Sequence, residues 1–216
     1  MNFAALSAAA RDRGLAIRAA LHPAAADPDL PAGTGTLLLL GPDEPGFWAR
    51  ITGSAEWQDG GADPVDRWSR RVVGDWAGQI GATALFPFGG PPFRPFIGWA
   101  LASGWVHASP VSLLVHAEAG LWLSFRGALA LPGRIALPEV PANPCITCPD
   151  QPCRTACPVS ALNERGYDVP GCKSFLRSKA GQSCMTHGCQ VRTACPVGQA
   201  HGRLVAHSAY HMAQFV

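Results

Sequence analysis

No cysteine precedes residue 145 in this chain of 216 residues; all eight follow it. Disulfide staples are thereby excluded from the first 144 residues, which must hold together by burial alone. Charge is scarce as well. Asp, Glu, Lys and Arg make up 15% of the chain and the net charge is only +2. With no basic run, binding to a nucleic-acid backbone is not expected. Apolar stretches such as Leu37 to Leu40 are far shorter than the roughly 20 residues a membrane helix needs. The N-terminus, Met1-Asn-Phe-Ala-Ala-Leu6, has neither the basic start nor the apolar core of an export signal. These absences lead to the expectation of a cytoplasmic globular protein in a reducing compartment, with no membrane or nucleic-acid partner.

What is present is concentrated in the last third. Cys145-Ile-Thr-Cys148-Pro-Asp-Gln-Pro-Cys153-Arg-Thr-Ala-Cys157-Pro158 places four cysteines within thirteen residues. Cys172, Cys184, Cys189 and Cys195-Pro196 follow. Thiolates are soft ligands that suit iron, and the bacterial iron–sulfur run is C-x2-C-x2-C-x3-C-P, whose last cysteine serves the other cluster of a pair. Here the middle gap is two residues longer, flanked by Pro149 and Pro152. An internal echo, Arg154-Thr-Ala-Cys157-Pro-Val159 against Arg192-Thr-Ala-Cys195-Pro-Val197, marks two related lobes. The expectation is two [4Fe-4S] clusters with crossed ligation: Cys145, Cys148, Cys153 and Cys195 on one, Cys157, Cys172, Cys184 and Cys189 on the other.

Two other readings of the same cysteines stay open. C-x2-C pairs also build zinc sites, although a zinc ribbon gives the Cys-Pro ends no role. An even count also permits disulfides. Charge agrees with clusters: residues 145–216 carry seven basic and three acidic groups, net +4. Two oxidised cubanes at roughly −2 each would bring that segment near neutrality.

Elements alternate before the cysteines. Asn2 caps a helix that Gly14 ends. Leu15–Leu21 and Thr36–Leu40 read as strands around a loop at Pro23–Pro31. Asp43-Glu-Pro45 opens a short helix with Phe47, Trp48 and Ile51. Asp63-Pro64 starts a longer helix whose buried face is Val65, Trp68, Val72, Trp76 and Ile80. A strand at Ala82–Phe86, a loop at Phe88-Gly-Gly-Pro-Pro92 and a helix from Arg94 to Ala102 follow. A hairpin is expected next: Val111–His116, a turn at Ala117–Gly120, then Leu121–Leu131. The tryptophans fall mostly on the buried faces. The proline-rich segment 132–144 reads as an extended linker. This divides the chain into 1–131, the linker 132–144 and 145–216. Leu204, Ser208, His211, Met212 and Phe215 give the tail a helical face that packs on other elements.

The segments Thr36–Leu40 with Pro45-Gly-Phe47, Asp63-Pro-Val-Asp66, and His116-Ala-Glu-Ala-Gly120-Leu-Trp122-Leu-Ser-Phe-Arg126-Gly127 resemble the CblC-like cobalamin-processing superfamily, which includes epoxyqueuosine reductase and the corrinoid reductive dehalogenases. The exit through Leu131-Pro-Gly133 to Pro141 is similar too. The cysteine half resembles the double-cubane module of epoxyqueuosine reductases, including Cys172 ahead of Phe175-Leu176. The resemblance implies an α+β fold: a nitroreductase-derived (CblC-like) N-terminal domain followed by a small ferredoxin-like domain with two cysteine-bound clusters. It implies iron–sulfur electron transfer with a redox partner protein or small-molecule reductant. The alternative is a corrinoid-linked reductase, whose clusters feed a cobalamin held by the first domain. Such relatives are often dimers, so a homodimer is within the expectation.

The residues assigned to a cofactor are Phe88, Gly89, Gly90, His116, Trp122 and Arg126. Each has a plainer reading. His116 beside its turn is either a turn or core histidine or a cobalt ligand. Arg126 in an apolar strand is either a buried ion-pair member or an anion contact. Phe88-Gly89-Gly90 either lines a flat cofactor or only turns the chain. His187 stands between two cysteines as a neighbour of iron or, as in Rieske centres, a ligand. His207 and His211 form either a metal-binding helical pair or a surface pair. No catalytic residue is assigned, and oxidoreductase activity stays open.

Overall fold

The structure is a computed structural model and describes residues 2–24 and 27–216. Ala25 and Ala26, inside the expected loop Pro23–Pro31, lie outside these. In chain order the elements are α1 (Phe3–Asp12), β1 (Leu15–Leu21), β2 (Thr36–Pro42), α2 (Gly46–Thr52), α3 (Ala55–Gln58), α4 (Pro64–Ile80), β3 (Thr83–Leu85), α5 (Phe96–Ala102), β4 (Val106–Ala108), β5 (Leu114–His116) and β6 (Gly127–Leu131). Then come β7 (Leu162–Asn163), β8 (Gly166–Tyr167), α6 (Val169–Leu176), α7 (Gln182–His187), α8 (Gln190–Thr193), α9 (Pro196–Gln199) and α10 (Val205–Phe215). The fold is α+β. No helix among the described residues is long and apolar enough to cross a membrane.

Packing divides the chain into two compact units: 1–106 with 124–141, and 107–123 with 142–216. The division by composition, at 131 and 145, is not the one the contacts make. The segment His107–Leu123 groups with the cysteines, and Ser124–Pro141 with the first unit.

The first unit is built on a four-stranded antiparallel sheet in the order β1-β2-β6-β3. All seven residues of β2 are buried, so its Leu37–Leu40 run is covered on both faces. Burying one such leucine contributes about 1.5–3 kcal/mol. The β1–β2 register slips between Ile17 and Ala19, which leaves Arg18 as an extra residue. Its guanidinium is buried and donates to the Pro42 carbonyl at 2.7 Å. Local signals act as expected in α1: the Asn2 side chain accepts from Ala5 N at 2.9 Å, and Gly14 follows with φ +75°.

Two expectations shift. The buried face of α4 is Val65, Trp68, Ser69, Val73, Trp76 and Ala77; Val72 and Ile80 stay partly exposed. Ser69 can be buried because its hydroxyl donates to the Val65 carbonyl at 2.7 Å. The expected hairpin does not form as a long ladder. His116 and Gly120 make a single bridge, and Gly127–Leu131 becomes β6, paired with β2 and β3. Leu121–Arg126 belongs to no strand.

The second unit has short elements on loops. Its tail helix α10 packs on α7. The side chains α10 buries are His207 and Ser208, whereas Leu204, expected on the packed face, is 40% exposed.

Candidate functional site

All eight cysteines are free thiols. Short elements set their positions. Cys172 lies in the first turns of α6, where the Asp168 side chain accepts from Gly171 N at 3.0 Å and fixes the helix start. Cys184 is buried on α7. Cys189 and Cys195 are the N-cap residues of α8 and α9, both in extended backbone conformation. Pro196 occupies the first turn of α9, where a missing N–H costs nothing. The two-residue insertion in the first run is absorbed by Asp150 (φ +56°) and Gln151 (φ +38°). These left-handed residues fold the loop back, and Gln151 Nε2 donates to the Cys145 carbonyl at 3.2 Å.

The cysteines sort into two sets. Cys157, Cys172, Cys184 and Cys189 line one apolar pocket, with Leu162, Phe175, Leu176, Val191 and Met212 among its other walls. Burial raises the Cys172 and Cys184 thiols, and their only cysteine repulsions come from within this set. Burial also raises Cys145 and Cys153. Cys145 is pushed further by Cys153, Cys195 and Cys148, and Cys153 by Cys195 and Cys148. Thus Cys195 sides with Cys145, Cys148 and Cys153, fifty residues or so earlier, and Cys157 with Cys172, Cys184 and Cys189. Cys153 and Cys195 sit in an apolar core with Val111, Val115, Leu121, Leu162 and Val191.

Donor chemistry tests what such sets fit. Four soft, half-buried thiols in apolar surroundings suit iron or zinc. Among the described residues no three His, Cys, Asp or Glu side chains converge on a point that fits a single metal ion. Four thiols around one pocket are a donor set that either a zinc ion or an iron–sulfur core would take.

The turn between β5 and Leu121 abuts the Cys195 segment. Its sharpness depends on Gly120, with φ +54°. A Cβ there would lie 2.4 Å from Gly198 N and 2.9 Å from Cys195 Sγ. His116 is 3% exposed, and its Nδ1 accepts from Glu118 N at 3.1 Å and Ala119 N at 3.2 Å. That nitrogen is committed to the turn, as in the plainer reading of this histidine. Trp122 packs its indole against the backbones of Gly188 and Gly198, and the Arg203 guanidinium lies 5.5 Å above the ring. Trp122 also borders an open pocket of about 580 Å³ with His187, Thr193 and Gln199. His187 Nδ1 lies 2.8 Å from its neighbour Thr186 Oγ1, and His187 is not among the residues lining the cysteine cavity. His207 is fully buried with its Nε2 3.1 Å from that of His211, so the pair is not a surface pair.

The remaining cofactor candidates belong to the first unit. Phe88, Gly89 and Gly90 line an open groove of about 1010 Å³ with Phe86 and Arg94, and Arg70 stacks 4.9 Å over the Phe88 ring. Arg126 pairs with Asp66, Nη1 to Oδ1, at 3.2 Å. Phe88, Gly89, Gly90 and Arg126 therefore lie in one unit, and His116 and Trp122 in the other. Sequence reasoning did not single out Tyr167 or Arg192. The Tyr167 hydroxyl donates to Cys172 Sγ at 3.3 Å, and Arg192 Nη1 donates to the Leu121 carbonyl. Arg192 was visible only as the counterpart of Arg154 in the repeated motif.

The Arg126–Asp66 pair has a pH signature. Burial raises the Asp66 carboxyl, and the nearby Arg126 charge opposes that rise. A carboxyl raised in the folded state favours folding while protonated and loses that contribution as pH rises through its folded value. Arg126→Gln removes the opposing charge. At neutral pH the variant is less stable than the parent by about 1–2 kcal/mol, as for a part-exposed ion pair. The deficit narrows as pH falls below about 4, as the unfolded-state carboxyl also becomes protonated. Urea unfolding at several pH values measures this.

Comparison of the chain with family models, curated proteins and solved structures gave no match.

Proposed function

We propose that this protein carries two [4Fe-4S] clusters and acts in electron transfer. The reading rests on one observation: eight free cysteines fall into two sets of four, and each set draws one cysteine from the sequence run that otherwise supplies the other. Cys145, Cys148, Cys153 and Cys195 would hold one cluster, and Cys157, Cys172, Cys184 and Cys189 the other. When bound, such groups supply reversible one-electron storage. The chain's own part is to hold the thiolates, exclude water with Leu162, Val191, Leu176 and Met212, and direct N–H and O–H donors at sulfur. The module is of the ferredoxin type. Its partner is a redox protein or small reductant.

The test is metal and acid-labile sulfide analysis of anaerobically purified protein, with paramagnetic resonance after reduction. Iron and sulfide at about eight each per chain is the expected result for two cubanes. A colourless protein holding zinc and no sulfide ends the proposal.

One feature favours the corrinoid-linked alternative, in which a CblC-like first unit holds the cofactor. The groove at Phe86, Phe88, Gly89 and Gly90 is open, and glycine lets a flat ligand approach the backbone. On that reading, cobalamin mixed with the protein co-elutes from a desalting column and its absorption bands shift. Free passage of the cobalamin with unchanged bands removes it.

A further inference from the structure

The two cysteine sets differ in what reaches their sulfurs. In the set Cys157, Cys172, Cys184 and Cys189, Ala161 N–H donates to Cys157 Sγ at 3.2 Å and the Tyr167 hydroxyl to Cys172 Sγ at 3.3 Å. The Gln190 backbone N–H is directed at Cys184. Arg192 is part-buried; that burial lowers its pKa, and the charge of Cys189 is the largest influence that opposes this. In the set Cys145, Cys148, Cys153 and Cys195, the hydrogen bonds seen bring no side-chain O–H to a sulfur. Cys153 has a backbone N–H, and Cys148 Sγ points at the Pro149 carbonyl at 3.7 Å.

The repeated Arg-Thr-Ala-Cys-Pro-Val motif makes the contrast sharper. Arg154, the first copy's arginine, is exposed and engaged by Gln151 at 2.6 Å and Glu164 at 3.2 Å. Its charge is thus largely compensated and screened. Arg192, the second copy's arginine, bonds only a backbone carbonyl among the hydrogen bonds seen, beside Cys189. Tyr167 is held for its role. Its ring stacks on Phe215 with centroids 6.0 Å apart and planes 11° apart, and Lys173 Nζ caps Phe215 at 5.0 Å. The C-terminal helix therefore fixes the hydroxyl that points at Cys172.

An added electron places more negative charge on sulfur. Hydrogen-bond donors and a part-buried cation favour that state, since hydrogen bonds to sulfur and local charge are determinants of cluster potential. We infer that the site of Cys157, Cys172, Cys184 and Cys189 is the electron sink of the pair, and that Tyr167 and Arg192 are the positioning residues that make it so. The inference rests on the cluster reading above. With both clusters bound, an electron delivered to either site by a low-potential one-electron donor would come to rest at this one. The donor loses one electron, the sink gains one, and no covalent bond or proton needs to change.

The experiment uses the full chain, purified anaerobically, with iron and sulfide measured before each titration. Reduction by dithionite through viologen mediators is followed by paramagnetic resonance. Two separated midpoints are expected. Tyr167→Phe keeps the stacking ring, removes only the hydroxyl, and makes reduction of the higher-potential site three- to tenfold less favourable, tenfold being about 59 mV for one electron. The lower midpoint stays in place. Arg192→Gln moves the same midpoint in the same direction, and Arg192→Lys, which keeps the charge, moves it less. If Arg192→Gln does not fold, Tyr167→Phe decides alone. Loaded protein with coincident midpoints, or a Tyr167→Phe variant whose higher midpoint is unmoved, overturns this inference and leaves the cluster reading standing. Protein without iron and sulfide overturns both.

Discussion

On the two-cluster proposal, replacing Cys195 with alanine should remove the same half of the iron and acid-labile sulfide as replacing Cys145, and the opposite half from replacing Cys184. Sequence neighbours would give another result, since Cys195 is six residues from Cys189 and fifty from Cys145. The expectation follows from placement. Cys195 is among the charges that raise Cys145 and Cys153, and it is absent from the cavity shared by Cys157, Cys172, Cys184 and Cys189. A cubane that loses one of four thiolates is held poorly, whereas the other set keeps all its ligands. Each variant should therefore retain about half the metal, as set by two four-ligand sites. Resonance spectra of the reduced variants then pair Cys195→Ala with Cys145→Ala. Should Cys195→Ala instead resemble Cys184→Ala, the crossing is wrong even if clusters are present. The truncation is small enough to be tolerated: losing a single sulfur atom from a core costs of order 1 kcal/mol.

The expected grouping came from the meaning of the Cys-Pro position in bacterial iron–sulfur runs, and the cysteine variants are what test it. Several local signals in the first unit were legible in the sequence. Asn2 and Gly14 bound α1 through a cap and a left-handed residue, and neither depends on distant contacts. The strands Leu15–Leu21 and Thr36–Leu40 are apolar, short and bounded by loops. What was not legible depends on pairing across the chain. The run Leu121–Leu131 looks like one strand returning on Val111–His116. In the structure the return stops after one bridge at Gly120, and Gly127–Leu131 pairs instead with strands about ninety and fifty residues earlier. Hydrophobic periodicity fixes which side of a strand is buried, not which strand lies beside it.

The same limit explains Arg154 and Arg192. Their local sequences are identical over six residues, yet one side chain is solvated beside Glu164 and the other lies beside Cys189 and the Leu121 carbonyl. Only tertiary packing separates them. Trp122 is a further case. Its seat is made by Gly188 and Gly198, which are seventy or so residues away and in sequence look like ordinary punctuation between cysteines. The six residues assigned to a cofactor were chosen from one hairpin and one loop. They divide between two units because the chain leaves the cysteine unit after Leu123, in the middle of the stretch that looked continuous.

Gly120→Ala should unfold the cysteine unit or loosen the site of Cys145, Cys148, Cys153 and Cys195, at a cost of about 2–4 kcal/mol. Two effects add. The residue has φ +54°, where an L side chain is strained by roughly 1 kcal/mol. The new Cβ would also meet backbone, at 2.4 Å from Gly198 N and 2.7 Å from Gly198 Cα, and Cys195 Sγ at 2.9 Å. Backbone cannot rotate away as a flexible side chain can, so either the turn or the Cys195 segment must move, and overpacking of this kind costs about 1–3 kcal/mol. Gly60→Ala separates the two effects. Gly60 also has a left-handed φ, +67°, but a Cβ there meets nothing within 4 Å. That variant should lose only the strain, and keep both sets of cysteines in order. Urea unfolding reads the stability difference, and the iron content of Gly120→Ala reads the site: loss should fall on the half that Cys195→Ala also removes. If Gly120→Ala unfolds at the parent's midpoint with its metal intact, the turn does not lie against Cys195, and the route by which residues 107–123 join the cysteine unit has to be redrawn.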